Sequence, residues 1–226
     1  KANKTRVPMC IHLDHGETME QVQRAIRCGF TSVMIDASSK SFEDNISITK
    51  EVIKVAHPLG VSVEAELGTI GDIKEDSGNR EIGAKEIVFT QPEDAKKFVE
   101  ETECDTLAIA IGTAHGIYPK DFVPHLEQEL LTEIKNIVSI PLVLHGGSAN
   151  PDLEIAEAVK RGVNKINISS DIKDAFYQQT RKTLADDAVI REPFDLYVDS
   201  IAAMKKVVNQ KIDLFDDADK MKYYKL

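Results

Sequence analysis

The sequence predicts an α/β fold built on a parallel sheet. Three features predict it. Short apolar runs recur along the chain, and segments with apolar residues at helical spacing separate them. The runs are apolar on both faces, as strands must be when helices or a barrel interior cover both sides. Strands that alternate with helices in this way imply βαβ crossovers.

The elements follow in order. Residues 7–13 read as the first strand, and a helix over residues 18–28 stops at Gly29. Residues 32–35 form the next strand, and the helix over 42–56 ends at the His57-Pro58 break. The run 61–65 follows. Residues 71–86, "GDIKEDSGNREIGAKE", are charged and glycine-rich without periodicity, and read as a long loop of the kind that can serve as an active-site lid. Pro92 opens a helix over 92–102, with Thr90 as its cap. Strands at 106–111, 140–144 and 165–168 then alternate with helices at 127–136, 152–161 and 171–184, and a last helix spans 199–210.

This makes six strand–helix units, and no linker rich in Pro, Gly or Ser divides residues 1–226, so one catalytic domain is expected. An open doubly wound sheet uses six units, whereas a closed (β/α)8 TIM barrel needs eight. Residues 1–6 are charged, and 7–13 already reads as an interior strand. The expectation is therefore an N-terminally incomplete barrel lacking its first two βα units.

The formal net charge of −10 argues against a nucleic-acid binder, which carries a basic face. No apolar run approaches the roughly 18–20 residues that span a bilayer. With no basic-then-apolar leader, the cytoplasm is the expected location. Cys10, Cys28 and Cys104 are odd in number and widely spaced, which fits reduced thiols rather than a disulfide framework or a thiolate zinc site.

Three strand runs end in histidine followed by glycine: "LDHG" at His15, "AIAIGTAHG" at His115 and "IPLVLHGG" at His145. In parallel α/β folds the C-terminal strand ends gather on one face, which hosts the active site. Three imidazoles with an open fourth position describe a catalytic zinc site. Strand alternation puts Asp14 and His15 on opposite faces, so a shared site requires the chain to leave strand geometry there. His12, His57 and His125 read as structural or surface residues. Asp36 and Glu66 also close strand runs, as helix caps, as partners that orient the histidines, or as a second metal position. The "GGS" at Gly146, Gly147 and Ser148 and the "NISSD" at 167–171 offer backbone amides, hydroxyls and a helix N-terminus, groups that bind phosphate.

Together "HLDHG", "GFTSVMIDAS", "FEDNI", "HPLGVSVEAELG", "IGTAHG", "PLVLHGGS" and "KINISSD" resemble the class II, metal-dependent ketose-bisphosphate aldolases, close to the tagatose- and fructose-bisphosphate branch. The resemblance spans almost the whole chain. It implies a (β/α)8 barrel and reversible cleavage of a ketose (bis)phosphate to dihydroxyacetone phosphate and an aldehyde. It implies Zn2+ on His15, His115 and His145, with Asp36 and Glu66 at an alternative metal position. Asp14 falls on the catalytic acid/base; in the mobile loop Lys74 stands where the family carries an acid, with Glu75 and Asp76 beside it, and Glu75 is assigned that role. Gly116, Gly146, Gly147, Ser148, Asn167, Ile168, Ser169 and Ser170 match segments that hold the phosphorylated half of the substrate. A homo-oligomer, dimer or tetramer, is implied as well. Asn209 departs from the family at a place where relatives often carry arginine, a residue that can grip a distal phosphate. The rival readings are a class II aldolase for another phosphorylated ketose, and an aldolase-like accessory subunit without catalysis. A Schiff-base mechanism would need a lysine at a strand end, and Lys165 instead begins a strand run.

Overall fold

The computed structural model describes residues 4–76, 79–82, 87–116, 118–119, 122–186 and 189–224, and side chains are not described over 72–82. Its centre is an all-parallel six-stranded sheet, curled as a half-barrel. The strands are β1 (His12–Gly16), β2 (Ser32–Ile35), β3 (Ser62–Leu67), β6 (Thr106–Ile109), β8 (Leu142–Leu144) and β9 (Val163–Ile166), side by side in chain order. The helices between them are α1 (Met19–Arg27), α2 (Phe42–Ala56), α3 (Pro92–Thr102), α4 (Gln128–Ile137) and α5 (Asp152–Arg161). After β9 come α6 (Ser170–Asp186) and α7 (Pro193–Leu214).

The two-residue strand period decides which side chains meet the helices. Val33, Ile35 and Val63 pack with Val22 and Val52 from α1 and α2. Leu107, Ile109, Leu142 and Leu144 pack with Phe98, Ile134 and Ile155 from α3, α4 and α5. The intervening positions face the other way: Met34, Ala108 and Val143 there are buried and apolar, whereas Asp14, Glu64, Glu66 and Lys165 are charged, with Asn167 just past the last strand. The expectation of strands apolar on both faces thus holds for β2, β6 and β8 and is corrected at β3, where Glu64 and Glu66 are buried.

Other boundaries moved for local reasons. The first strand begins at His12 and pairs with Ser32, whereas Val7, Met9 and Ile11 stay more than half exposed. Pro8 has no N–H to give a ladder. Ser41 caps α2 and Thr18 caps α1 through their hydroxyls. Thr90 does not cap α3: its hydroxyl donates to the Leu67 carbonyl and accepts from the Ala110 amide, and Gln91 occupies the cap position.

The stretch read as a loop holds a hairpin, β4 (Gly71–Asp76) with β5 (Asn79–Ile82), and residues 77–78 and 83–86 lie outside the described residues. Its register sets Lys74 opposite Glu81 and Glu75 opposite Arg80. The hairpin is rooted beside β7 (Ala114–His115), which pairs in parallel with Gly71 and Asp72.

Candidate active site

His15, His115 and His145 meet at the C-terminal ends of the strands. Their ring centroids are 4.8, 4.6 and 6.1 Å apart, and one ligand atom from each falls within 4.8 Å of the others. Each ring arrives differently. His145 follows β8 and is fully buried. His115 stands on the short β7, fixed by pairing with β4. His15 reaches the cluster because the chain kinks: its φ is +48, and the β1–β2 register shifts between Leu13 and Gly16. A left-handed non-glycine residue costs about 1–2 kcal/mol. Here it turns two successive side chains, Asp14 and His15, towards one site and so overrides the alternation that separated them.

The glycines serve close approach. A Cβ on Gly146, whose φ is +63, would stand 2.6 Å from the Ala114 carbonyl oxygen, and one on Gly16 would stand 2.5 Å from that of Met34.

Carboxylates orient the rings. Asp36 accepts from His15 Nδ1 at 2.9 Å and from the Ser38 amide and hydroxyl. Burial raises the Asp36 pKa, but these bonds outweigh it and hold the group well below the usual carboxylate range. Burial likewise lowers that of His15, and Asp36 reverses the sign to leave it raised. His145 contacts Glu66 through Nδ1 at 2.8 Å and Glu64 through Nε2 at 3.1 Å. Against its burial, the two carboxylates push it up to about 9.

His15 Nε2 is buried and has no hydrogen-bond partner, because Asp36 takes only Nδ1. An orphaned imidazole nitrogen beside two further rings fits a zinc-type dication, which takes neutral histidine nitrogens in a three-plus-one arrangement. Two other trios bring ligand atoms within 4.8 Å, His15 with Asp36 and Glu66, and His12 with Asp14 and Glu64. In the second of these the Lys165 ammonium already sits on Glu64, at 2.9 and 3.0 Å. That contact commits the ammonium to an ion pair.

Asp14 is half-exposed at the mouth of the cluster, 4.0 Å from His15 Nε2, and accepts from the Asn167 side-chain amide at 2.9 Å. Asn167 is thus tied to Asp14 rather than held free for phosphate, and its backbone N–H goes to the Leu144 carbonyl. The Ser148 hydroxyl accepts from the amides of Ser169 and Asp171, at 3.2 and 3.4 Å, which knits Gly146, Gly147 and Ser148 to Ser169 and Ser170 at the start of α6. Gly147 donates to the Asn167 carbonyl, Ile168 is half-buried beside Gly147, and Gly116 turns the chain after His115 with φ +116. Glu75 lies in β4, and its side chain is outside the described residues. Asn209 is exposed on α7. His12 is pinned by Ser32, His57 by Asp105 and His125 by Glu154, in keeping with structural roles.

Sequence reasoning missed Glu64 and Lys165. The signal was two glutamates at i and i+2 in "VSVEAE", on one face of a strand without a solvent side, where buried charge requires partners.

The model of the family "Fructose-bisphosphate aldolase class-II" matches residues 1–220. A fructose-bisphosphate aldolase of Helicobacter pylori (strain ATCC 700392 / 26695) is 40% identical over 239 aligned positions, covering 95% of this chain and 76% of that protein. The crystal structure of the YdjI aldolase from Escherichia coli K12 is similar, with a TM-score of 0.81 and 37% identity over 97% of this chain and 74% of that one. The fructose-bisphosphate aldolase structure from Campylobacter jejuni shares the fold, with a TM-score of 0.69 at 24% identity over 93% of this chain and 71% of that one.

Proposed function

The chain belongs to the class II fructose-bisphosphate aldolase family, and from that premise we propose that it cleaves a ketose bisphosphate at the His15–His115–His145 cluster. The meeting of these three rings is the observation that carries the proposal. His15, His115 and His145 would hold Zn2+, with Asp36 and Glu66 available for a second position. When bound, the dication supplies Lewis-acid polarisation of the substrate ketone.

The remaining steps belong to the chain. Asp14 removes the proton from the hydroxyl on C4 as the C3–C4 bond breaks, and returns it in condensation. The Asn167 amide aims the Asp14 carboxylate, which accepts its hydrogen bond at 2.9 Å. Gly116, Gly146, Gly147, Ser148, Ser169 and Ser170 offer donors for the phosphate of the dihydroxyacetone phosphate half. Held there, the ketone stands in register with the rings, and orientation lowers the barrier. Glu75 serves as a further acid from the hairpin.

The same reading takes in a closed barrel with two further βα units, supported by a sheet curled until Asn167 on one edge meets Asp14 on the other. A homo-oligomer is supported by exposed apolar residues along α7, among them Phe194, Val198 and Ile201. A cytoplasmic location is supported by three free thiols. No helix among the described residues is long and apolar enough to cross a membrane.

The test is cleavage of fructose 1,6-bisphosphate and tagatose 1,6-bisphosphate by the purified chain, followed by a coupled assay of triose phosphate. Activity that EDTA abolishes and zinc restores is expected. Undiminished cleavage in EDTA, or zinc bound without cleavage of either sugar, would overturn the reading. The ratio of the two rates assigns the stereochemistry at C4.

A further inference from the structure

Glu64 stands behind His145, on the side away from Glu66. It is 2% exposed, and its carboxylate accepts from Lys165 Nζ at 2.9 and 3.0 Å, from Thr106 Oγ1 at 3.1 Å and from His145 Nε2 at 3.1 Å. Strands β6 and β9 thus fix a carboxylate that β3 carries, and that carboxylate in turn fixes a ring at the end of β8. Glu66 is held differently. Among the described residues its carboxylate has one hydrogen bond, from His145 Nδ1 at 2.8 Å, and it shares a trio with His15 and Asp36.

A histidine gives one nitrogen to a metal while a neighbour holds the other. Both nitrogens of His145 lie on carboxylates, so a metal is admitted only when one carboxylate lets go. Glu64 accepts hydrogen bonds from three residues and stands 3.7 Å from His12 Nε2, whereas Glu66 accepts one among the described residues, which makes Glu66 the carboxylate free to move. We propose that Glu64 is a positioning residue that keeps His145 Nε2 in both metal-free and metal-loaded protein, so that Nδ1 is the atom offered to the metal. Lys165 serves this arrangement by locking Glu64, and Glu66 is the contact that yields. The inference rests on the metal reading above.

The alternative is an ordinary buried ion pair that stabilises the fold and does nothing for the metal. Removing one partner of such a pair leaves an unpaired charge, whereas replacing both is often neutral. The double variant E64Q/K165M therefore separates the two roles. Its stripped form is expected to melt within a few degrees of the stripped wild type, yet to bind zinc about 10- to 100-fold more weakly in competition with a fluorescent chelator. E66Q is expected to weaken zinc binding less than E64Q does. A double variant with wild-type zinc affinity overturns the inference. A second measurement needs no variant: in zinc-loaded wild-type protein, long-range 15N NMR of His145 is expected to show the proton on Nε2, and a proton on Nδ1 overturns the inference. Wild-type protein without zinc affinity would bring down the metal reading itself, and this inference with it.

Discussion

Asn167 donates its side-chain amide to the Asp14 carboxylate at 2.9 Å, joining residues 153 positions apart, one on the first strand of the sheet and the other just past the end of the last. The contact has direct consequences. Asp14→Ala is expected to retain zinc and lose about 10²- to 10⁴-fold in kcat, the usual contribution of a general base. Asn167→Ala leaves the base in place but unaimed, and is expected to lose about 10- to 100-fold, the worth of a hydrogen bond to a charged acceptor. Metal analysis with steady-state kinetics on both variants checks this, and zinc lost from Asp14→Ala would make Asp14 a structural residue.

His145→Ala removes one of the three rings and takes away the hydrogen bond that the buried Glu66 accepts. Loss of zinc and of aldol cleavage together is expected, alongside a lowered melting temperature. Elemental analysis, a coupled cleavage assay and calorimetry report the three effects separately. Full zinc occupancy in this variant would remove His145 from the ligand set.

The chelator-stripped protein has a predictable pH profile. His145 is pushed from 6.5 up to about 9, so its contribution to stability is complete below pH 6.5 and is lost as the pH rises through 9. Asp36 and Glu64 are shifted down from 3.8 and 4.5, so theirs is complete above those values and fades as the pH falls below them. Stability from these groups therefore peaks between pH 4.5 and 6.5. Between pH 6.5 and 9 a loss on the order of 2 kcal/mol is expected, a fall of roughly 5 °C. Thermal scans across that range check the slope, and a melting temperature that rises with pH would contradict it.

Gly146→Ala places a methyl 2.6 Å from the Ala114 carbonyl, on a backbone with φ +63. Strain and clash together are expected to cost about 2 kcal/mol or more, and to shift both the residue after His145 and the strand that carries His115. Reduced zinc affinity should accompany the lower melting temperature. Wild-type values of both would show that the turn relaxes at no cost.

Much of this was legible in the sequence. Strands and helices were readable because a doubly covered parallel sheet writes apolar runs, and Pro92 and Gly29 mark ends among them. The three histidines were readable because each closes a strand and precedes a glycine. What escaped depends on contacts far apart in the chain. The kink at His15 exists because the β1–β2 register slips against Met34 and Ile35. The Glu64–Lys165 pair spans 101 positions, so neither charge looked partnered. The hairpin over Gly71–Asp76 and Asn79–Ile82 is written mostly in charged and polar residues, which a search for apolar periodicity passes over. Asn167 was visible as a polar strand end, but its tie to Asp14 appears only once the sheet curls.

The curl has one last implication. The proton acceptor hangs from one border of the sheet and the amide that steadies it hangs from the opposite border, while the helix-packed strands between them carry most of the core. Loosening of that one contact therefore cuts catalysis while the strands between stay packed. Mild denaturant should extinguish turnover well ahead of the bulk unfolding signal.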